Sequence, residues 1–332
     1  MATLTATNPT LLDWKQAMDP NGQVATVIEM LHETNEILAD MTFLEGNLPT
    51  GHRTVIRTGL PTVTWRKLYG GVQPDKSQRA TITDSCGMLE AYNEVDKALC
   101  DLSSDSQAFR LSEAQAQLES MNQALADTVF YGSIAAHPER FEGLTSRFNS
   151  LSAANAENII PGGGAGTDNA SIWLVVWGPN TCHGIVPKNS QAGLQVSDKG
   201  QVTIENADGA GGRMEGYRMH FRMDAGISVK DWRYVVRIPN IDKSALLADA
   251  SSGANLPELM FQALEMVPNL GMGRPVFYMS RYVRTRFRQQ LAALTKNSTL
   301  EYQNIGGHRA AVWNDIPIRR CDALAADEAL VS

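Results

Sequence analysis

Apolar positions recur at helical spacing over 106–132. Leu111, Ala114, Leu118, Met121, Leu125 and Val129 follow one another at steps of three or four, which keeps them on one side of a helix. Glu113, Gln117, Asn122, Gln123 and Asp127 fill the other faces. Asp105 and Ser106 offer acceptors to the free N–H groups of a helix start, and Gly132 stands where a left-handed stop is cheap. Such a helix runs about 40 Å and needs an equally long surface to lie on. Nothing along it is fit for chemistry, so it reads as a structural spine.

A second helical pattern, Val24, Val27, Ile28, Leu31 and Leu38, spans 23–40. It follows an opening stretch, 1–22, whose apolar cluster is Leu11, Leu12 and Trp14. Between 46 and 86 the pattern turns strand-like. Segments 54–58 and 62–69 are rich in Thr, Val and aromatic residues, Gly70 and Gly71 can turn the chain, and 80–83 can return it. The expected product is an extended hairpin whose middle strand shows Val63, Trp65, Lys67 and Tyr69 on one face and Thr62, Thr64, Arg66 and Leu68 on the other. An isolated two-stranded ribbon is marginal in water, so this one needs support from its own domain or from a neighbouring subunit.

The run 172–177 is continuously apolar, as a strand buried on both faces would be. Over 216–224, Tyr217, Met219, Phe221 and Met223 alternate with Arg218, His220, Arg222 and Asp224. After Ala225 and Gly226 a strand is expected to continue over 227–238. Farther on, Asn255 can cap a helix over 256–266, 275–279 reads as a short strand, and Ser280 can cap a helix to about 294. A closing strand begins at 316–318.

Candidate chemistry is sparse. The glycine-rich 161–166 is not followed by the Gly-Lys-Ser/Thr of a phosphate cradle. His32 and Glu33 form half of a zinc-protease motif, but position 36 is Glu where the second His belongs. Cys182 and His183 are adjacent, and neighbours on a strand point to opposite faces. Neither a cofactor nor a metal is indicated, and no nucleophile has a spaced base, so no enzyme is expected. Arg281, Arg284 and Arg288 share a helix face that suits phosphate or a partner.

The chain has 332 residues, 43% hydrophobic and 20% charged, enough for a sizeable core and roughly two domains. A net charge of −7 argues against holding nucleic acid by charge alone. A cytoplasmic nucleic-acid-binding protein using the arginine-rich 281–288 is the alternative function. Cys86, Cys100, Cys182 and Cys321 lack paired spacing and read as reduced thiols. No apolar run approaches the ~20 residues of a membrane span, so no membrane partner is expected.

Six stretches stand out together: Glu45-Gly46-Asn47-Leu48-Pro49-Thr50-Gly51-His52-Arg53, Gly87-Met88-Leu89-Glu90-Ala91-Tyr92, Phe141-Glu142-Gly143-Leu144, Trp177-Gly178-Pro179-Asn180, Asp231-Trp232-Arg233-Tyr234-Val235-Val236-Arg237-Ile238 and Ile316-Pro317-Ile318-Arg319-Arg320-Cys321-Asp322. With them the chain resembles, over nearly its whole length, the major capsid proteins of tailed phages with the Hong Kong 97 fold, in particular the coat proteins of short-tailed phages. The resemblance implies an α+β fold with an N-terminal arm at 1–45 and an extended β-hairpin loop at 46–95. A peripheral domain with the spine helix and a long β-sheet falls at 96–240 and 310–332, and an axial domain at 241–309.

It also implies a structural protein that self-assembles into the icosahedral head of a virion, enclosing double-stranded phage DNA, and that is assembled in the host bacterial cytoplasm. Its partners would be copies of itself in hexamers and pentamers, with decoration or cement, scaffolding and portal proteins and weakly held packaged DNA besides. Inter-subunit contacts are expected at Leu11, Trp14, Arg53, Arg57, Trp65, Arg66, Lys67 and Tyr69. No Lys, Asn and carboxylate match the cross-link made by some family members.

Overall fold

The computed structural model describes residues 33, 35–102, 105–190, 192–205, 211–247, 253–294, 300–305 and 308–332. Leu11, Trp14 and most of the expected arm lie outside the described residues. Of the helix expected over 23–40, the described part is one turn, α1 (Ile37–Asp40), followed by β1 (Phe43–Glu45).

The extended hairpin is built from β2 (Gly51–Gly59) and β3 (Gln78–Asp96), antiparallel from Gly51↔Ser85 out to Gly59↔Gln78. The expected middle strand over 62–69 is not there. Residues 60–77 form a loop beyond the paired strands, with one turn where Gly70 N–H reaches Lys67 O at 3.0 Å. Pro61 and Pro74 flank that loop. Neither has an N–H to give a ladder, so pairing stops where they enter.

Next come α2 (Lys97–Leu102), the spine α3 (Ser106–Tyr131) and α4 (Leu144–Arg147). Asp105 caps the spine as expected, its Oδ1 accepting from the N–H groups of Gln107 and Ala108 at 3.1 and 3.0 Å. Ala114, Met121, Leu125 and Val129 are buried, but Leu111 is 59% exposed because the buried stripe at that end runs through Phe109.

Gly132 ends the spine for a different reason from the one expected. Its φ of −54° is open to any residue. A Cβ there would stand 2.4 Å from Phe141 O and 2.5 Å from Thr128 O, and a Cβ on the opposing Gly143 2.7 Å from Gly132 N. The returning chain touches backbone to backbone, with Gly143 N–H donating to Gly132 O at 2.9 Å. We expect Gly132→Ala to cost about 1–3 kcal/mol, read as a lower urea midpoint.

The sheet continues with β4 (Asn169–Trp177), β5 (Cys182–Val186), β6 (Gln195–Glu205) and β7 (Arg213–Val229). The strand expected over 227–238 is broken. A single 3-10 turn, Trp232–Tyr234, opened by Asp231 accepting from Arg233 N–H, separates β7 from β8 (Val235–Asp242). The last third supplies α5 (Leu256–Met266), β9 (Arg274–Met279), α6 (Arg281–Leu294), β10 (Leu300–Ile305), β11 (His308–Trp313) and β12 (Ile316–Arg320). Asn255 makes no side-chain cap on α5. The Leu256 N–H is taken instead by Gln290 Oε1 at 2.9 Å.

Strand order is β10-β11-β12-β9-β4-β5-β7-β3-β2, with β1 beside β5, β6 beside β7 and β8 beside β4. β11 spans the expected boundary at 309/310 and shares its sheet with β9. All of β4 is buried, as its apolar run requires. Leu174, Phe277, Ile318 and Trp313 pack under α5 and α6. Trp173, Val175 and Tyr278 pack toward the C-terminal half of α3 and α4.

The N-terminal half of α3 lies on the β3–β7 ribbon, where Ala114 and Met121 meet Phe221, Met219 and Met223. On the ribbon's other face the register sets Glu94 opposite Arg218 and Glu90 opposite Arg222. Ion pairs join Arg218 to Glu94 and Arg222 to Glu90. Opposed charges of this kind resist a one-residue slip.

Candidate assembly surfaces

Residues 60–77 carry large apolar side chains into solvent. Trp65 and Tyr69 are fully exposed and Leu60, Val63 and Leu68 nearly so. Polar contacts pin the loop at its root without covering these groups. Asp75 accepts from Thr62 N–H at 2.7 Å and from Lys76 N–H at 2.7 Å, and these bonds hold its carboxyl below the usual range. Large exposed apolar patches are uncommon on monomeric soluble proteins. Of the expected contact residues, Arg53 and Arg57 stand on β2 while Trp65, Arg66, Lys67 and Tyr69 share the loop. Leu11 and Trp14 lie outside the described residues.

The root of the hairpin is tied down by side-chain hydrogen bonds. Asn47 grips Arg53 twice, its amide donating to Arg53 O at 2.8 Å and its carbonyl accepting from Arg53 N–H at 2.7 Å. His52 lies opposite Asp84 in the ladder. Asp84 accepts from Arg147 Nη1 at 2.8 Å and from Ser228 Oγ at 2.7 Å, tying the hairpin to α4 and β7. Beneath it His183 is wholly buried, and neither ring nitrogen has a partner among the described residues. Its ring meets His52 edge-on at 5.9 Å. Burial, then the Lys230 ammonium and His52, push the His183 pKa down to about 4, so it is neutral at pH 7.

Cys182, buried beside it, has its thiol pushed up to about 12 by burial. No nucleophile and base meet there.

Two buried clusters had no signal in the sequence. Glu328, near the C-terminus, accepts from Arg237 Nη2 at 2.7 Å, from Tyr131 Oη at 2.5 Å and from Ser171 Oγ. Arg237 also donates to Phe148 O at 2.7 Å and lies over the Trp173 ring at 5.2 Å. At the other end Asp40 accepts from Tyr278 Oη at 3.0 Å and pairs with Arg274 and Arg319, both at 3.2 Å. The two clusters fasten the end of the chain and the first described segment to the sheet around β4.

The three arginines of α6 also come together. Arg281, Arg284 and Arg288 line a groove of about 280 Å³ between α6 and β11/β12, with Arg320 on its far wall.

A spine helix laid across a long ribbon, with an extended hairpin reaching out from it, defines the class: this is a Hong Kong 97-like capsid fold. The family model for major capsid protein GP7 matches residues 19–332, and the chain belongs to that family. A chain of bacteriophage Epsilon15 solved by cryo-EM is 35% identical, with 100% of both chains covered and a TM-score of 0.79. The capsid of a native GTA particle is 11% identical over 68% of this chain and 95% of that one, at a TM-score of 0.45. An encapsulin from Synechococcus elongatus is 10% identical over 69% and 94%, at 0.41. The search of curated proteins finds no match. The protein is therefore structural rather than enzymatic, a subunit of the virion capsid that assembles into a multimeric shell.

Proposed function

We propose that the chain builds an icosahedral head around double-stranded phage DNA by laying residues 60–77 of each copy across a neighbour. The observation that supports this most is the set of exposed apolar side chains in that loop. Covering each one stabilises a contact by about 1.5–3 kcal/mol, and many such contacts in a closed lattice add up. In this reading Trp65 and Tyr69 are the anchors, Arg53, Arg57, Arg66 and Lys67 the charged rim, and Leu11 and Trp14 a second contact from the arm.

The subunits form hexamers and pentamers in the host bacterial cytoplasm. Decoration, scaffolding and portal proteins are the further partners, and packaged DNA is held weakly. The arm (1–45) and the loop (46–95) are the reaching parts. The peripheral domain (96–240 and 310–332) and the axial domain (241–309) supply the body. The comparisons lend no support to a free nucleic-acid-binding protein.

Trp65→Ser with Tyr69→Ser tests the reading. The monomer should melt as the unaltered chain does, because both side chains lie outside every core, while particle yield by sedimentation and electron microscopy falls at least about tenfold. Shells at the unaltered yield would overturn it.

A further inference from the structure

The arginine groove beside α6 is unbalanced. It is walled by Arg281, Arg284, Arg288 and Arg320. Asp322 is its paired acid, shared by Arg281 at 3.1 Å and by Arg320. The side chains of Arg284 and Arg288 have no hydrogen bond or ion pair among the described residues. The groove floor is apolar, made by Phe287, Ala311 and Ile318. A ligand that suits it carries carboxylates beside apolar groups. A phosphodiester would satisfy the rim and leave the floor bare.

The chain itself carries such a surface. On α5 the buried side is Leu256, Met260, Ala263 and Leu264, and the outer side shows Glu258, Phe261, Glu265 and Met266. Phe261 and Met266 are 43% and 45% exposed. Glu265 has no ion pair among the described residues, and Glu258 is bonded to Gln262 alone, at 3.3 Å. Glu258 and Glu265 are seven residues apart, as are Arg281 and Arg288. On a helix that is about 10 Å for each pair, so the two charge rows match in length.

Their placement also suits contact between copies. Both helices cover the same face of the sheet. α5 packs on β8, and its Phe261 meets the Trp313 ring of β11 edge-on at 4.6 Å, while the groove opens between α6 and the β11 and β12 strands. Complementary patches at two different places on one body make a head-to-tail interface, which closes into a ring where the rotation between copies closes.

We propose that the outer face of α5 in one copy docks into the arginine groove of the next, with Glu258 and Glu265 paired to Arg281, Arg284 and Arg288 and with Phe261 and Met266 covered. This rests on the assembly reading above and names a contact within it. The two charge rows give the contact its register, and they exclude a wrong neighbour more than they add affinity.

The test uses the full chain. Arg284→Glu with Arg288→Glu should lower particle yield at least about tenfold, as should Glu258→Arg with Glu265→Arg. All four changes in one chain should restore it, because every copy then carries both reversed faces. The milder Arg284→Gln with Arg288→Gln should act in the same direction, and thermal melting checks that each variant folds. The proposal is overturned if either reversal assembles like the unaltered chain, or if both fail and the fourfold variant fails too although it melts normally. It is also overturned if the unaltered chain holds short duplex DNA at low salt through these arginines while assembly ignores their reversal. An unaltered chain that forms no particles would remove the assembly reading itself, and this contact with it.

Discussion

Glu328→Ala is expected to lower the stability of the unassembled chain by about 3–5 kcal/mol, the usual cost of removing one member of a buried ion pair. The side chains of Arg237 and Glu328 are only 2% and 4% exposed. Without the carboxylate, the guanidinium keeps its bonds to Phe148 O and Ser171 Oγ but has no counter-charge in a place water does not reach. Tyr131 loses its acceptor in the same step.

The measurement is the urea midpoint of the unassembled protein at fixed m-value. Arg237→Met in the same chain should recover part of the loss, since no orphaned charge is then buried. A midpoint unchanged by Glu328→Ala would mean that the C-terminal tail is not seated on the sheet as described.

Acid should loosen the root of the extended hairpin. His183 has its pKa pushed down to about 4 from an ordinary 6.5. Above pH 6.5 the ring is neutral in both folded and unfolded chains, and the stability from burying it is fully present. As pH falls from 6.5 toward 4 the unfolded chain takes the proton first, so stability falls. Below about 4 the folded ring is protonated too, and the loss levels off.

The span corresponds to a few kcal/mol at most, roughly 3. His52 adds to the same trend, its pKa lowered first by burial and then by Lys230, with the nearby Asp84 carboxylate opposing. Urea midpoints at pH 7, 5.5 and 4.5 should therefore decline, and His183→Gln should flatten much of that slope. An equal slope in the variant would assign the pH dependence to other groups.

Particular elements show how much of this was legible beforehand. The spine could be read because a helix repeats its environment every three or four residues, and its cap because Asp105 bonds within its own turn. The alternation of Tyr217, Met219, Phe221 and Met223 with charged neighbours announced a strand with one face on a helix. Residues 62–69 misled: a Thr- and aromatic-rich run satisfies strand propensity, yet the ladder partner of β2 lies at 78–85, past two prolines. Gly132 was the right stopping point for a wrong reason, since its need comes from Phe141 and Gly143 pressing on it from outside the helix. The arginines of α6 were visible as a row, but the apolar floor beneath them was not, because Ala311 and Ile318 come from other strands.

The sequence by itself determined the long helix, the two-faced burial of β4, the long charged ribbon and the presence of a limb with greasy side chains. These depend on neighbours two to four residues apart, and local periodicity records such neighbours. Only the tertiary structure decided that Glu328 would meet Arg237, that Asp40 would collect Tyr278, Arg274 and Arg319, and that His183 would be sealed beneath the hairpin. The partners in those clusters lie far apart in the chain, and no local pattern encodes a contact that exists only after the sheet has closed over it.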